Sequence, residues 1–306
     1  MTPHTEGKAS TRRKGGHEAA LGSAALRSAV LGRFRWSGAA QRSAVLGGLL
    51  ALGFLLPALL APLLATHDPF AIDLFGSLAP PGPEHLLGQD DQGGDIFSRL
   101  LFGARISLLV GVATVSVSAT VGISVGLLAG YRGGWVDQVL MRLVDVLLAF
   151  PGLLLAIALV AVLGPGLSNV VLALTALGWT SFARLVRGQV LAEKGRDYVT
   201  AAQALGAGGV RVMLRYLLPN LMAPVLVQAS FAVAGAILSE ASLSFLGLGV
   251  SAGTPSWGAM LSEGRHVLLE APRVSAAPGM AILVVVLGFN LLGDALGDLL
   301  DPRRRG

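Results

Sequence analysis

The chain has 306 residues, 53% of them hydrophobic and only 13% charged, with a formal net charge of +5. Soluble domains carry about 25% charged residues, so this composition excludes an ordinary water-soluble globule and points to lipid. The absence of cysteine excludes thiol catalysis, disulfides and thiolate metal sites.

Residues 1–42 form a basic segment with Lys8, Arg12, Arg13, Lys14, Arg27, Arg33, Arg35 and Arg42. It lacks the short charged region, compact apolar stretch and small-residue cleavage site of a secretory signal. It is expected to be a disordered cytoplasmic tail held near anionic lipid. About 20 apolar residues of helix cross a bilayer, and the charge-free run Ala44 to Ala65 is the first such span, assigned to 43–66. The external loop 67–103 is acidic and rich in Pro and Gly, with Asp68, Asp73, Glu84, Asp90, Asp91 and Asp95. The second span is Ile106 to Gly130, where Gly122, Gly126 and Gly130 form a small-residue ridge. Such ridges let helices approach closely, here expected within the subunit.

Val146 to Ala183 is uncharged but too long for one crossing, and "LGPGLSN" (Leu163 to Asn169) interrupts it with turn-forming residues. It is read as spans three and four in a tight hairpin. A cytoplasmic segment, 187–219, follows. Its core, "DYVTAAQALGAGGVRVMLRYLLPN" (Asp197 to Asn220), begins with the helix formers Ala201, Ala202, Gln203, Ala204 and Leu205. Gly206, Gly208 and Gly209 permit a turn. Val210, Met213, Leu214 and Leu217 then recur at i, i+3, i+4, i+7, with Pro219 closing the unit. From these residues alone, two readings stand level: a two-helix unit that inserts into a groove on another protein, or an amphipathic helix on the membrane surface. Span five is Tyr216 to Ser239. A second external segment, "VSAGTPSWGAMLSEGRHVLLEAPR", suggests a short interfacial helix with Trp257 at headgroup depth. Span six is Val274 to Gly293, and 301–306 is a basic cytoplasmic end. The fold class is therefore all-α and polytopic, with six transmembrane helices. Residues 104–300 hold the five-helix core.

Positive residues gather on the cytoplasmic side of membrane proteins. The basic tail, Arg132, Arg142, Arg184, Arg187, Lys194, Arg196, Arg211, Arg215 and the final arginines all fall on one side, against Arg99, Arg105, Arg265 and Arg273 on the other. Both termini are thereby assigned to the cytoplasm, and the net charge needs no nucleic-acid partner. Acidic groups near the spans read as end-pairing or packing: Asp145 lies three residues from Arg142, Asp294 and Asp298 sit at the cytoplasmic end of span six, and Glu240 near the outer end of span five.

Nothing in the spans suggests catalysis. No Gly-x4-Gly-Lys-Ser/Thr loop is present to cradle a nucleotide phosphate. All five histidines, His4, His17, His67, His85 and His266, lie outside the spans, so no intramembrane base is available to a serine nucleophile. His-Glu-x-x-His spacing is absent. No catalytic, cofactor-binding or metal-binding residue is expected in this chain.

The spacing Thr200-Ala201-Ala202, three residues, Gly206, nine residues, Tyr216, one residue, Leu218-Pro219 resembles the EAA motif, Glu-Ala-Ala-x3-Gly-x9-Ile-x-Leu-Pro. That motif marks the permease subunits of binding-protein-dependent ABC importers. Thr200 replaces the Glu and Tyr216 the Ile. "HLLGQDDQGGDIFSRLLFGARISLLVG", "GYRGGWVDQVLMRLVDVLLAFPGLLLAI" and "ASLSFLGLGVSAGTPSWGAMLSEGR" are similar to the dipeptide/oligopeptide/nickel permease group, second permease type, with departures at Gln89 and Gly94. The resemblance implies a type I ABC importer transmembrane fold in a bacterial cytoplasmic membrane. It implies a heterodimer with a second permease, two ATPase subunits that use ATP and Mg, and an extracytoplasmic substrate-binding protein. It assigns ATPase coupling to Thr200, Ala201, Ala202, Gly206, Leu218 and Pro219. The competing class, a gradient-driven secondary transporter or channel, predicts mid-span ionisable groups and inverted repeats. A membrane scaffold would tolerate any substitution in the coupling loop.

Overall fold

The computed structural model describes residues 38–250 and 253–300, with side chains from residue 44 onward. Most of the basic tail assigned to 1–42 and the whole of 301–306 lie outside the described residues. Nine helices are described: α1 (Gly38–Leu64), α2 (Ile96–Arg132), α3 (Gly134–Leu148), α4 (Gly152–Leu163), α5 (Leu167–Glu193), α6 (Asp197–Ala204), α7 (Gly209–Phe245), α8 (Trp257–Gly264) and α9 (Arg273–Leu300). No strand is found among the described residues. Five of these helices, α1, α2, α5, α7 and α9, are long and apolar enough to cross a membrane. The bent pair α3 and α4 makes a sixth crossing if counted as one span.

That pair departs from a straight third span. The two helices meet at 85°, with Pro151 at the N-cap of α4 and the break at Ala149 and Phe150. A proline supplies no N–H to the preceding turn and disfavours helical backbone in the residue before it, so the chain turns there. The "LGPGLSN" turn lies where expected, between α4 and α5. There Asn169 Nδ2 donates to the carbonyls of Leu163 and Gly164, both at 3.0 Å.

The second span begins at Ile96, well before its charge-free run. Asp95 caps α2 by accepting from Ser98 N at 2.8 Å. Arg99, on the first turn of the helix, is buried and ion-paired to Asp90 and, at 2.9 Å, to Glu263 of α8. A helix can carry Arg here because both carboxylates neutralise it. Asp90 also accepts from Gln92 N and Gly94 N, which folds the external loop tightly against the helix start.

The broadest packing is α2 against α5, and the glycine ridge explains it. A Cβ on Gly122 would lie 2.5 Å from Trp179 O; on Gly126, 2.6 Å from Ala183 O; on Gly130, 2.8 Å from Val190 Cβ. The ridge is therefore spent on an intrasubunit crossing in which two backbones touch. Three apolar clusters follow. One joins α1, α8, α9 and the outer halves of α2 and α7, through Phe54, Ile96, Trp257 and Phe289. A second joins α2, α5, α6 and the start of α7. The third ties α4 and α5 to the end of α7 through Val160, Val170 and Leu243.

Trp257 corrects the interfacial reading. It is 2% exposed, donates Nε1 to Leu100 O at 2.9 Å and lies 5.8 Å from the Phe54 ring. Gly103 leaves the space for it, since a Cβ there would meet Trp257 Cδ1 at 2.6 Å. The indole is a plug between α8 and α2 with its N–H satisfied, and does not sit at a headgroup surface. Asp145 also differs from expectation. It accepts from Arg184 of α5 at 2.8 Å, a contact between helices in place of the local pair with Arg142.

Candidate functional site

α6 is only eight residues long, too short to hold its shape alone in water. Its stability comes from how it is closed and docked. At its end, Gly206 takes φ +83, Gly206 N donates to Gln203 O at 2.9 Å and Ala207 N to Ala202 O at 3.0 Å. This is a Schellman closure, in which a left-handed residue satisfies the last carbonyls of the helix. No heavy atom lies within 4 Å of where a Gly206 Cβ would be. Backbone conformation, and not crowding, is therefore what favours glycine there.

Beneath α6, Val199 is fully buried and Ala202 is 5% exposed. Val199 packs in the cluster with Leu127, Val190 and Tyr131. Lys194 Nζ reaches Gly130 O at 3.1 Å, and Gln203 Nε2 donates to Tyr131 Oη at 3.4 Å. Tyr198 donates its hydroxyl to Glu193 at 2.9 Å; burial and that carboxylate push the phenol above its ordinary pKa, keeping the donor form. The unit is thus fixed to the ends of α2 and α5 from below.

The six residues carried over from the motif divide by exposure. Thr200, Ala201 and Gly206 face outward, while Ala202 faces inward. Ala202 is therefore turned to the protein while its neighbours Ala201 and Gln203 face out. The Thr200 hydroxyl turns back to Arg196 O at 3.3 Å. Outward beside them stand Leu205 at 89%, Val210 at 66% and Leu214 at 56% exposure, an apolar surface at the end assigned to the cytoplasm.

Leu218 and Pro219 do not end the unit. α7 runs unbroken from Gly209 to Phe245 through a π-helical turn at Val212–Leu217. Pro219 has no N–H and its ring presses on the carbonyl four residues back. The wider turn accommodates this: Leu218 N donates to Met213 O, five residues back, and Asn220 Nδ2 satisfies Tyr216 O at 2.7 Å. The extra residue also resets the buried face. Val212, Leu217, Leu221 and Val225 are buried, spaced by five and then four. The expected stripe is split, with Val210 and Leu214 outside and Leu217 inside.

A second feature lies within the spans. A cleft of about 340 Å³ is lined by Thr114 and Ser118 of α2, Ser181 of α5, Gln228 and Ser239 of α7, and Phe150 at the break between α3 and α4. Thr114 Oγ1 and Ser118 Oγ are buried without a hydrogen-bond partner. Most of the lining is apolar, with Val115, Leu147, Leu153, Leu174 and Phe182 around these few uncharged polar groups, and no charged side chain lines it. Sequence reasoning missed these residues, although Ser, Thr and Gln inside charge-free spans were the available signal. Glu240 is fully buried in α7 and accepts from Ser244 Oγ at 2.7 Å. No basic side chain pairs with it among the described contacts, so packing against hydroxyls describes it and end-pairing does not.

A family profile described as "binding-protein-dependent transport system inner membrane component" matches residues 122–306. The chain is 43% identical to a dipeptide transport system permease protein of Alkalihalophilus pseudofirmus, over 87% of each chain. It is 46% identical to a di/tripeptide transport system permease protein of Pseudomonas aeruginosa, over 88% of this chain and 91% of that one. A glutathione transport system permease protein of Pectobacterium atrosepticum is 48% identical over 73% of this chain and 74% of its own.

Proposed function

Because the chain belongs to the binding-protein-dependent transport system inner membrane components, we propose that it is one of two different permeases that together enclose a path for small peptides. It is a multi-pass inner-membrane subunit of an ABC importer. Two ATPases beneath the pair hydrolyse ATP with Mg, and an extracytoplasmic binding protein delivers the solute. This chain supplies the lever. Thr200, Ala201 and the apolar rim of Leu205, Val210 and Leu214 dock on an ATPase, and Val199 transmits the load to α2 and α5.

The observation that carries this reading is the closed, inward-anchored and outward-bare α6. Here Val199 and Ala202 are spent on the protein while Leu205 and Leu214 stand exposed. The cleft beside Thr114, Ser118 and Gln228 is the part of the path this subunit contributes. Peptide as the solute rests on the names of the relatives and on a cleft that offers hydroxyls and an amide without fixed charge.

The test is reconstitution in proteoliposomes of the chain with its neighbouring permease and ATPases. Peptide-loaded binding protein should stimulate ATP hydrolysis and peptide uptake together. Uptake that persists without ATPases and collapses under an uncoupler would overturn the proposal in favour of a gradient-driven carrier.

A further inference from the structure

The external loop brings together three side chains that neither the transport reading nor the motif uses. His67 follows the end of α1, His85 lies midway along the loop, and Asp95 caps α2. His85 Nδ1 is 3.0 Å from Asp95 Oδ1, and His67 Nδ1 is 3.9 Å from Asp95 Oδ2. One ligand-capable atom from each residue lies within 4.8 Å of the others. The two imidazole rings overlap, with centroids 4.3 Å apart and planes inclined by 33°.

We propose that His67, His85 and Asp95 form an external binding site for a divalent transition-metal ion of the zinc class. Two imidazoles and a carboxylate are the donor set that such borderline ions take, and neither Mg nor Ca favours it. At bond lengths of about 2.0–2.1 Å, tetrahedral ligand atoms stand about 3.4 Å apart. One ligand-capable atom from each residue already lies within 4.8 Å of the others, so rotation of the two rings converges them on one point. A water from the outer solution completes the coordination, since His67 is 39% exposed on its side chain and His85 21%.

The surroundings hold the donors in place. His67 N donates to Ser98 Oγ at 3.1 Å, which fixes its backbone to the first turn of α2. Thr66 Oγ1 lies 3.0 Å from His67 Nδ1 and 3.4 Å from Asp95 Oδ2. Gly88 N donates to His85 O at 3.0 Å, and Ile96 N to Gly88 O at 3.1 Å, closing the loop onto the helix start. Asp95 is 2% exposed and keeps its Ser98 hydrogen bond on Oδ2, leaving Oδ1 to face His85. A bound ion replaces the His85–Asp95 hydrogen bond and braces the end of α1 against the start of α2. This stands in place of the expectation that the chain holds no metal ligand.

The experiment titrates Zn2+ alone into the full chain in nanodiscs, in its assembled transporter, by calorimetry and by thermal melting. One equivalent should bind to this chain beyond the uptake of the His67→Ala/His85→Ala variant, with a rise in melting temperature that the variant lacks. Loss of even an outer-shell partner costs about 10–100-fold in metal affinity, so removing one ligand by His67→Ala should weaken binding by about 100-fold. His67 is the most exposed of the three, so that single variant keeps the Asp95 cap and the His85 contact. Substitution with Co2+ should give the intense visible bands of a tetrahedral site in the wild type only. Equal Zn2+ binding by wild type and double variant overturns the proposal, as does wild type that takes up no stoichiometric Zn2+. Displacement of Zn2+ by millimolar Mg2+ also overturns it, because a loose carboxylate site and no imidazole site behaves so.

Discussion

Replacing Gly206 separates conformational strain from crowding more cleanly than any other change in the coupling element. Its φ of +83 is a left-handed value, and a Cβ there meets nothing within 4 Å. The cost of a substitution is therefore the backbone penalty alone, about 1–2 kcal/mol for an L-residue with a Cβ. Asn bears less of that penalty, because its side chain tolerates the left-handed region, and a β-branched residue bears more. α6 has eight residues and little intrinsic stability. Each loss of about 1.4 kcal/mol there lowers the closed-to-open ratio of the unit about tenfold. Transport should fall stepwise from wild type through Gly206→Asn and Gly206→Ala to Gly206→Val. The last should stand at or below about a tenth of wild type. Membrane insertion and the melting temperature of the bundle should change little, since the residue is exposed. The assay is ATP hydrolysis stimulated by loaded binding protein in proteoliposomes, alongside the thermal melt. Stimulation by Gly206→Val at the wild-type level would refute the argument that the Schellman closure holds the lever. So would a loss that tracks failure of insertion.

Crowding governs the α2–α5 crossing instead. Gly126→Ala places a Cβ 2.6 Å from Ala183 O, and overpacking of this kind costs about 1–3 kcal/mol. Its melting temperature should fall, while Gly188→Ala on the same crossing partner, with nothing within 4 Å, should leave it unchanged. Arg99→Met removes the cation shared by Asp90 and Glu263 and leaves a buried carboxylate uncompensated. Breaking a buried pair costs about 3–5 kcal/mol, so this variant should melt well below wild type; an equal melt would show that water already reaches Asp90. Glu263 is held above its ordinary value of 4.5, chiefly by burial, with Asp90 and Asp91 adding to the rise and Arg99 opposing it. The folded chain thus binds more protons than the unfolded chain just above that pH, and stability declines as pH rises through the window. Glu263→Gln should flatten the decline in melts taken from pH 4.5 upward, and an unchanged slope would assign it to another group.

The spans, their hairpin and the glycine ridge were legible because each leaves a local mark: absence of charge, a Gly-Pro-Gly turn, a four-residue repeat of small residues. Which face of each span packs was not legible. In soluble helices polarity separates inside from outside, but lipid is as apolar as a leucine core. α2 shows the consequence. Ser107, Thr114, Ser118 and the glycines are buried, while Leu109, Val112 and Val117 are exposed. Within the loop after α5, the turn at Gly206 was legible because its need is local. The motif spacing could not show that Ala202 turns inward while its neighbours Ala201 and Gln203 face out. The π turn at Val212–Leu217 escaped for a related reason. Pro219 signals that a hydrogen bond is missing, but the i to i+4 count assumes the helix stops there and does not widen. Trp257 and Asp145 were misread because their partners, Gly103 and Arg184, come from other helices.

α2 links the two ends of the molecule. It spans 37 residues, about 55 Å at the usual helical rise, with no proline inside it. At one end Gly130 O holds Lys194 and the ring of Tyr131 lies under Gly209 and Gln203. At the other end Asp95 caps it and Arg99 ties it to Glu263. Between them Gly122 and Gly126 press its backbone onto α5. A load on α6 therefore reaches a straight helix at its end, and side-chain adjustment cannot absorb it at the glycine crossing because no side chain intervenes there. Compliance must lie elsewhere, at the 85° break before Pro151 and in the π turn beside Pro219. The break stands at the cleft, where Phe150 is part of the lining, and Gln228 lines it about 16 Å along α7 from the π turn. The rigid contacts carry force along α2 and α5, and the two proline-marked irregularities are where α4 and α7 can change angle about Thr114 and Ser118. On the proposed coupling role, this geometry would tie opening of the cleft to movement of α6 without requiring the α2–α5 pair to deform.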